Sequence, residues 1–346
     1  MKSKIFVFLI IAAFLLSAFA LAFSGRASAQ MANNLARLLP ASDIVITLDA
    51  KKAFNTALPQ VLSANPDKLA EINARIDEIK TKTGLDARRF EQVAVGANAR
   101  QISSERTEIE PFILARGSFD SAEMINAAKT FSKGKYTEER IGGRTVYVFK
   151  LGEIVPQKAP AAGGSLFDKM LEKIINSISN ELAVAAFDNN TLALGTAGRL
   201  REAFKNEKSR VSADTLGLAA KNPNAVLAFA GKAPRGMGAL LPLENDEIGE
   251  LLDSINQFSG SLDVGESKAD LSIWAKTVKT EDAEALEGML GVIRTIGGTA
   301  LKGNKNPDKQ VYARMLENVN ISRSGAEITL ALEVPQSDLD IIVGKR

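Results

Sequence analysis

Two residue types are absent from the sequence, cysteine and histidine, and their absence removes several classes of enzyme. Histidine is the usual general base near neutral pH and the commonest metal ligand. Without these residues the chain cannot carry a Ser-His-Asp triad, a Cys-His protease site, thiol redox chemistry or an ordinary zinc site. The remaining chemistry depends on carboxylates, on lysine or on a hard metal held by oxygen ligands.

Aromatic residues are few, and neither sign of charge is in excess. One tryptophan and three tyrosines are too few for an aromatic sugar-binding platform. Removal of Lys2, Lys4 and Arg26 with the N-terminal segment takes the 43 basic residues to 40, against 41 acidic residues. Such a balanced chain lacks the basic surface of a nucleic-acid-binding protein, so we expect no nucleic-acid partner.

The one long apolar run lies at the N-terminus and predicts export. Lys2 and Lys4 precede an uncharged run over residues 5–23, and Ala27-Ser28-Ala29 is typical of a signal-peptidase site. We therefore expect residues 1–29 to be a cleaved signal peptide and the mature chain to begin at Gln30, in the periplasm or outside the cell. The alternative is an uncut anchor in the inner membrane with the body outside, because about 17 to 25 apolar residues span a bilayer.

An exported chain without cysteine relies on buried apolar area rather than on disulfide bonds. The length after cleavage is enough for two lobes. We predict a first lobe over residues 30–210 and a second over residues 211–346.

Periodic patterns predict the elements of the first lobe. Ile44, Ile46 and Leu48 alternate as in a strand, and Asn65-Pro66 supplies the cap and first turn of a helix that ends near Gly84. The other expected elements are strands at 92–97 and 111–119, a helix opened by Asp120, a hairpin at 136–150 around Gly142-Gly143, a loop at 155–165, a helix at 167–178, a hairpin at 182–195 and a helix after Thr196.

The second lobe is predicted to restart the same plan near residue 223. The expected elements are a turn and strand over 223–229, a helix from Asn245 that includes Ile255 and Phe258, strands at 261–264 and 270–278, a helix from Thr280 to Gly297-Gly298, and a closing hairpin at 318–334. The fold class is therefore α+β, with two similar lobes that each pair a mainly antiparallel sheet with helices on one face. An internal duplication and a chance recurrence of this element order both remain open.

The candidate sites are weak, and no catalytic, cofactor-binding or metal-ligating residue is assigned. Residues 231–238 are glycine-rich after a strand, but Pro234 and the missing Lys-Ser or Lys-Thr pair favour a loop over a phosphate cradle. The turn at Asp188-Asn189-Asn190 lacks the glycine and distal glutamate of a calcium loop. Trp274 lies in an alternating strand, where core packing is favoured over sugar stacking.

Acidic residues cluster in two places, around a loop and along a helix. Either cluster could hold calcium or supply a carboxylate pair, although solvated side chains near a helix start are the more ordinary interpretation. These residues are Glu105, Glu108, Glu110, Asp246, Glu247, Glu250 and Asp253.

The ends of the mature chain carry a family resemblance. The body opens with Leu39-Pro40-Ala41-Ser42-Asp43 before an apolar strand and closes with a hairpin around Ser324-Gly325. With its signal peptide, the chain resembles uncharacterised exported two-lobed α+β proteins of Gram-negative bacteria. The resemblance covers most of the mature chain and implies no catalytic residues.

The sequence favours a non-enzymatic exported protein that needs no cofactor and binds an envelope protein or an apolar ligand between helices and a curved sheet. The alternatives are a carboxylate-based hydrolase of envelope polymers, which needs two facing acids in a cleft, and a structural assembly subunit with a large exposed apolar patch.

Overall fold

The structure, a computed structural model, describes residues 34–101, 107–150, 181–206, 209–233, 246–303 and 305–344. Its strands are β1 Ile44–Asp49, β2 Phe90–Gln101, β3 Thr107–Gly117, β4 Tyr136–Ile141, β5 Arg144–Lys150, β6 Glu181–Asp188, β7 Thr191–Gly195, β8 Leu227–Lys232, β9 Ile255–Val264, β10 Lys268–Thr277, β11 Asn320–Ser324 and β12 Glu327–Pro335.

Helices connect and cover these strands. They are α1 Ala50–Lys52, a π-helical segment Ala53–Ala57, α2 Leu58–Val61, α3 Pro66–Thr83, a 3₁₀ turn Ala87–Arg89, α4 Ser121–Ser132, α5 Ala197–Lys205, α6 Ala213–Ala219, α7 Asp246–Asp253, α8 Thr280–Lys302, α9 Pro307–Asn318 and α10 Gln336–Val343. A helical turn at residues 34–36 precedes β1.

One antiparallel sheet contains the strands of both predicted lobes and confirms the α+β class. Its order is β11-β12-β10-β9-β8-β1-β2-β3-β7-β6-β5-β4. The halves join where β1 pairs with β8, with Ile44 opposite Gly231 and Leu48 opposite Leu227. The two predicted sheets are therefore two parts of a continuous one.

The two halves of the sheet share a neighbour order. In the first, β1, β2, β3, β7 and β6 follow one another, and in the second β8, β9, β10, β12 and β11 do the same. The β4–β5 hairpin is an addition at the outer edge of the first half. The common order agrees with a duplication, which stays a prediction because a shared topology can also arise independently.

Each strand has two faces, which we name by their residues. Face A carries Ile46, Val95 and Ile113, and face B carries the alternating neighbours such as Val45 and Phe112. In the first half both faces are buried. Helices α3 and α4 contribute to the cluster on face A, whereas α5 and the turn at 34–36 contribute to the cluster on face B. Helices thus cover both faces of this half rather than the one face expected.

Local sequence signals predicted several elements of the first half of the chain correctly. The predicted strand at Ile44–Asp49 and the helix from Pro66 are both present, and the Asn65 side chain accepts a hydrogen bond from the backbone N–H of Lys68. Gly84 ends that helix at φ +75°. Gly142 and Gly143 form the hairpin turn with positive φ, because glycine adopts this conformation without strain.

Two second-half predictions are wrong at their boundaries. The helix expected to include Ile255 and Phe258 ends at Asp253, and Ile255 instead begins β9. The spacing of these apolar residues fits the period of a helix as well as that of a strand, and the pairing of β9 with β8 and β10 stabilises the strand. The helix from Thr280 continues through Gly297-Gly298 to Lys302, because α9 packs closely there. A Cβ on Gly297 would lie 3.0 Å from Leu316 Cδ1.

A buried lysine links the two halves. The Lys52 ammonium, on the helix after β1, donates to Asp263 Oδ1 on β9 at 3.1 Å and also to the carbonyl of Asn224. Only 5% of Lys52 is exposed. The Asp49 carboxylate accepts from the Lys52 backbone N–H at 2.8 Å and so fixes the helix start. This cluster holds the first helical segment against the second half.

The C-terminal helix provides a second link. Gln336 at its start exchanges side-chain and backbone hydrogen bonds with Gln60 on α2, and its amide donates to Asp340 Oδ1 at 2.7 Å. Asn65 donates to the carbonyl of Val343 at 2.6 Å. Helix α10 therefore closes over the boundary between the halves.

In the part of the chain that the structure describes, no helix is long and apolar enough to cross a membrane. The predicted signal peptide, the loop at 155–165 and the helix at 167–178 lie outside the described residues.

Candidate functional site

The apolar side chains of face A change from buried to partly exposed in the second half of the sheet. The central positions of β1, β2 and β3 are buried, whereas the central positions of β9, β10 and β12 are partly open to solvent. Cross-strand register puts the open positions side by side. They form a floor of Phe229, Phe258, Leu262, Leu271, Ile273, Leu330 and Leu332.

Both ends of this floor are closed. At one end Val264, Ala269 and Val334 are buried in the face A cluster that also contains Leu339 of α10. At the other end Ile328 forms a buried cluster with Ala283 and Leu286 of α8. Leu251 of α7 packs against this cluster. Ile328 and Val334 lie six positions apart on β12, so the two closed ends are about 20 Å apart at roughly 3.3 Å per strand residue, and the open floor lies between them.

Helix α8 forms one side of the floor. Its first turns lie on the sheet, where Ala283 and Leu286 pack on Ile328, and its outer side contacts β11 through the ion pair Arg323–Glu287. Because a helix advances about 100° per residue, Met289 and Ile296 lie on the side of α8 opposite Glu287, and Met289 packs against the cluster around Ile328. Of these, Ile296 is 64% exposed. We call this floor with its α8 wall the apolar trough.

Charge is almost absent from the trough. The floor residues are apolar, and Arg294 is the single charged residue in positions 288–301 of the sequence. The Arg294 guanidinium donates to the carbonyl of Val319 at 3.3 Å and so points to the α9 side. A surface of this size without charges favours apolar contact over contact with ions or polar polymers.

An aromatic pair gives the floor its shape beside β8. Phe229 lies across Gly260 of the next strand, and a Cβ on Gly260 would meet Phe229 Cζ at 2.2 Å. The centroids of the Phe229 and Phe258 rings are 6.2 Å apart. Glycine at 260 therefore lets the ring lie low on the sheet, and any side chain there would lift it into the trough.

Trp274 lies on the opposite face of the same sheet. It is half-buried on face B, the Lys221 ammonium is 3.7 Å from its ring centroid, and its indole N–H donates to Glu327 Oε2 at 3.2 Å. The residue is therefore neither a core side chain nor an open stacking platform. Its environment is set by Lys221 and by Glu327, which also binds Lys276 at 3.1 Å.

The fluorescence of Trp274 should report the protonation of Glu327. Hydrogen bonds from Lys276 and Trp274 hold the pKa of Glu327 below its ordinary 4.5. As the pH is lowered, the emission of Trp274 should stay constant down to pH 4.5. It should then change at a lower pH, where the Glu327 carboxylate is protonated. Acid titration of the intrinsic fluorescence checks this; Glu327→Gln should remove the transition, and Lys276→Met should raise its midpoint. A transition at or above 4.5 in the wild type would contradict the assignment.

The glycine-rich segment does not form a phosphate cradle at its start. Gly231 lies within β8, and a Cβ there would be 2.6 Å from the backbone carbonyl oxygen of Asp43. Close packing on β1 therefore explains this glycine. Asp188, Asn189 and Asn190 form the β6–β7 turn as predicted, with Asp188 Oδ1 accepting from the N–H of Asn190 at 3.0 Å. Residues from 234 to 238 lie outside the described residues.

The acidic residues are divided between distant elements. Glu110 lies on β3 in the first half, whereas Glu250 and Asp253 are exposed on α7 in the second. Among the residues that the structure describes, no three His, Cys, Asp or Glu side chains cluster in a way that could hold a metal. Glu105 and the side chains of Glu108, Asp246 and Glu247 fall outside what is described.

Comparison with known proteins adds only distant structures. No protein-family model and no curated protein matches the chain. Crystal form IV of TP0453 is 9% identical with a TM-score of 0.43, covering 95% of this chain and 99% of that one. Form I is 11% identical with a TM-score of 0.40, covering 89% and 96%, and form III is 10% identical at 0.41, covering 89% and 97%. Similarity at this level carries no argument about function.

Sequence reasoning missed the trough, although one signal was visible. An amphipathic helix normally carries charges on its solvent side, and α8 has almost none over residues 288–301. The floor itself had no such signal, because Ile273 and Leu330 alternate in the same way as buried strand residues.

Proposed function

We propose that this chain is a non-enzymatic exported protein that binds an elongated apolar ligand in the apolar trough. The observation that carries the proposal is the group of half-open floor residues in β9, β10 and β12. Within the described part of the chain, Ile273 and Leu330 belong to neither buried cluster of the second half. An apolar occupant would remove their surface from water at roughly 25 cal/mol per Å².

The shape and charge of the trough narrow the ligand class. The closed ends of the floor are about 20 Å apart at strand spacing, and the floor between them is lined by aliphatic and phenyl groups. Ligand sites are mostly apolar with a few polar groups that fix orientation. The trough offers no charged group over most of its described length, which favours a hydrocarbon chain over a sugar, a nucleotide or a charged peptide.

The sequence supports a location outside the cytoplasm. Residues 1–29 have the charge, apolar length and Ala-x-Ala ending of a signal peptide. An exported protein with an apolar site would meet lipids or other apolar molecules of the envelope, and hence we propose that its ligand is drawn from them.

Energy transfer from Trp274 provides the test of binding. Trp274 is the only tryptophan and lies on the other face of the sheet, beside floor residue Ile273, so it can excite a probe without touching it. A dansyl-labelled undecanoic acid added to the mature protein should show sensitised dansyl emission. Ile273→Asp should weaken its binding at least tenfold, about 1.4 kcal/mol, because a carboxylate would be placed in an apolar floor.

The neighbouring residue gives a matched control. Ser272 precedes Ile273 on β10 but lies on face B, so Ser272→Asp introduces the same charge without entering the trough. It should leave probe affinity unchanged. Equal affinities of the wild type and Ile273→Asp, with both folded by circular dichroism, would rule out the trough as the site. Native mass spectrometry of protein from its own envelope fraction would then identify a natural ligand and the mature N-terminus.

A further inference from the structure

Helix α8 consists of two halves that pack on different parts of the molecule. In the first half Ala283 and Leu286 are buried in a cluster with Ile328 of the sheet. In the second half Gly297 lies against α9, where a Cβ on it would be 3.0 Å from Cδ1 of Leu316. The first half is therefore fixed to the sheet, whereas the second half packs on another helix.

The second half carries apolar side chains that are open to water. Val292, Ile293 and Ile296 are 55%, 45% and 64% exposed. A surface helix normally has charged residues on its solvent side. Here Arg294 is the single charged residue of positions 288–301, and it donates to the carbonyl of Val319 on the α9 side. This half thus has the composition of a helix that is covered in another state of the protein.

The exposed half of α8 runs along the open floor of the trough. The first half packs on Ile328 at one closed end, and α9 is joined to α10 at the other closed end by the ion pair Arg314–Asp338. From Leu286 to Ile296 the helix advances about 15 Å, which is most of the about 20 Å between the closed ends. Contact between these side chains and the floor would remove both apolar surfaces from water.

Two glycines separate the fixed half from the exposed half. Gly288 and Gly291 lie inside the helix, where glycine is among the least favourable residues. A Cβ on either would meet nothing within 4 Å, so packing in the described chain does not require glycine there. Glycine does, however, allow a helix to bend. We infer that α8 bends at Gly288–Gly291 and that its second half is a lid, which folds onto the floor of the empty trough and lifts when an apolar ligand enters.

The contact with α9 permits this movement. Gly297 and Gly298 present no side chain to α9, so the lid can slide across it. Helix α9 itself is fixed, because Val311 and Ala313 are buried. The inference rests on the proposed function, since the lid and the ligand compete for the same floor. The apparent affinity for a ligand is then reduced by the fraction of molecules in which the lid is closed.

Stiffening the bend should strengthen ligand binding. Gly288→Ala combined with Gly291→Ala favours the straight helix, so dansyl-labelled undecanoic acid should bind about threefold more tightly or better than it binds the wild type. Sensitised dansyl emission measures the affinity. Gly217→Ala in α6 is the matched control, because Gly217 is also a helical glycine with nothing within 4 Å of an added Cβ, and it should leave the affinity unchanged. An unchanged or weaker affinity of the α8 variant would contradict the lid.

Energy transfer within the protein follows the lid directly. The chain has no cysteine and one tryptophan, so Thr299→Cys, exposed on the second half of α8, can be labelled with a dansyl group as the only acceptor for Trp274. Unlabelled undecanoic acid should lower the transfer, because the lid moves away from the sheet. The same label on Lys309→Cys of α9 should show no change, since α9 stays in place.

The two proposals fail in different ways. If dansyl-labelled undecanoic acid gives no sensitised emission with the wild type, the trough is rejected as its binding site. The bend is still tested without ligand, because the two alanines should lower the transfer from Trp274 to the label at position 299. Equal transfer with and without the alanines would overturn the lid. Binding of undecanoic acid with unchanged transfer would also overturn it and leave the proposed function intact.

Discussion

Replacement of Phe112 by alanine is expected to lower the free energy of unfolding by about 3–5 kcal/mol, as for other fully buried aromatic side chains. Phe112 is 1% exposed on face B of β3, and its ring packs edge-on against Phe204 of α5, with the ring centroids 6.3 Å apart. The surrounding side chains belong to strands and helices that cannot all move into the volume left by the phenyl ring. A cavity would remain, and its free-energy cost would add to the lost burial of the ring.

Leu330 provides the comparison for that variant. It also lies in the sheet, but on the open floor of the trough, so Leu330→Ala should cost about 1 kcal/mol or less by partial loss of buried area. Urea unfolding of both variants, followed by circular dichroism with the slope checked for constancy, measures the difference. Equal losses would mean that the floor of the trough is packed as tightly as the first-half core.

Removal of the Lys52 ammonium should have the second largest effect on stability. Lys52→Ala removes the ammonium donor from the Asn224 carbonyl and from the Asp263 carboxylate, which keeps a hydrogen bond from the Val264 backbone N–H. Breaking a buried ion pair costs about 3–5 kcal/mol, and because Asp263 is 24% exposed we expect about 2–4 kcal/mol. Denaturant unfolding followed by both circular dichroism and Trp274 fluorescence measures the loss and tests whether the halves still unfold together.

A double variant separates the charge from the packing at this position. Lys52→Met keeps most of the side-chain volume but leaves Asp263 unpaired, whereas Lys52→Met with Asp263→Asn removes both charges. The double variant should therefore be more stable than Lys52→Met alone. A double variant that is less stable than the single one would show that the ion pair is not the source of the effect.

The sequence predicted best those elements whose signals are local. Strand β1 follows from alternation over six residues, and α3 from a cap, a first-turn proline and a terminal glycine within one segment. The boundary at Ile255 failed because residues there suit a helix or a strand equally, and only pairing with β8 and β10 decides. The glycine pair at 297–298 indicates a helix end by itself, and only the packing of α9 against it explains why α8 continues.

The trough and the continuous sheet depend on long-range contacts that a sequence pattern does not contain. Ile273 and Ile113 both belong to alternating strands, and the alternation is the same whether or not a helix covers the face. In the structure Ile273 is partly open, whereas Ile113 is buried. Nothing local indicates that β1 pairs with β8. The lack of charge in α8 was the available signal, and it required the assumption that this helix lies at the surface.

The central pairing of β1 with β8 also fixes the order in which the molecule can be completed. Strand β2 is the next strand after β1 in the chain, whereas the partner of the other edge of β1 is β8, which includes Gly231 and lies much later in the chain. During synthesis or refolding, a finished first half would therefore present β1 as an open edge, the kind of surface on which chains pair wrongly. Incorrect pairing between chains is thus most favoured in the interval before the second half has folded onto β1.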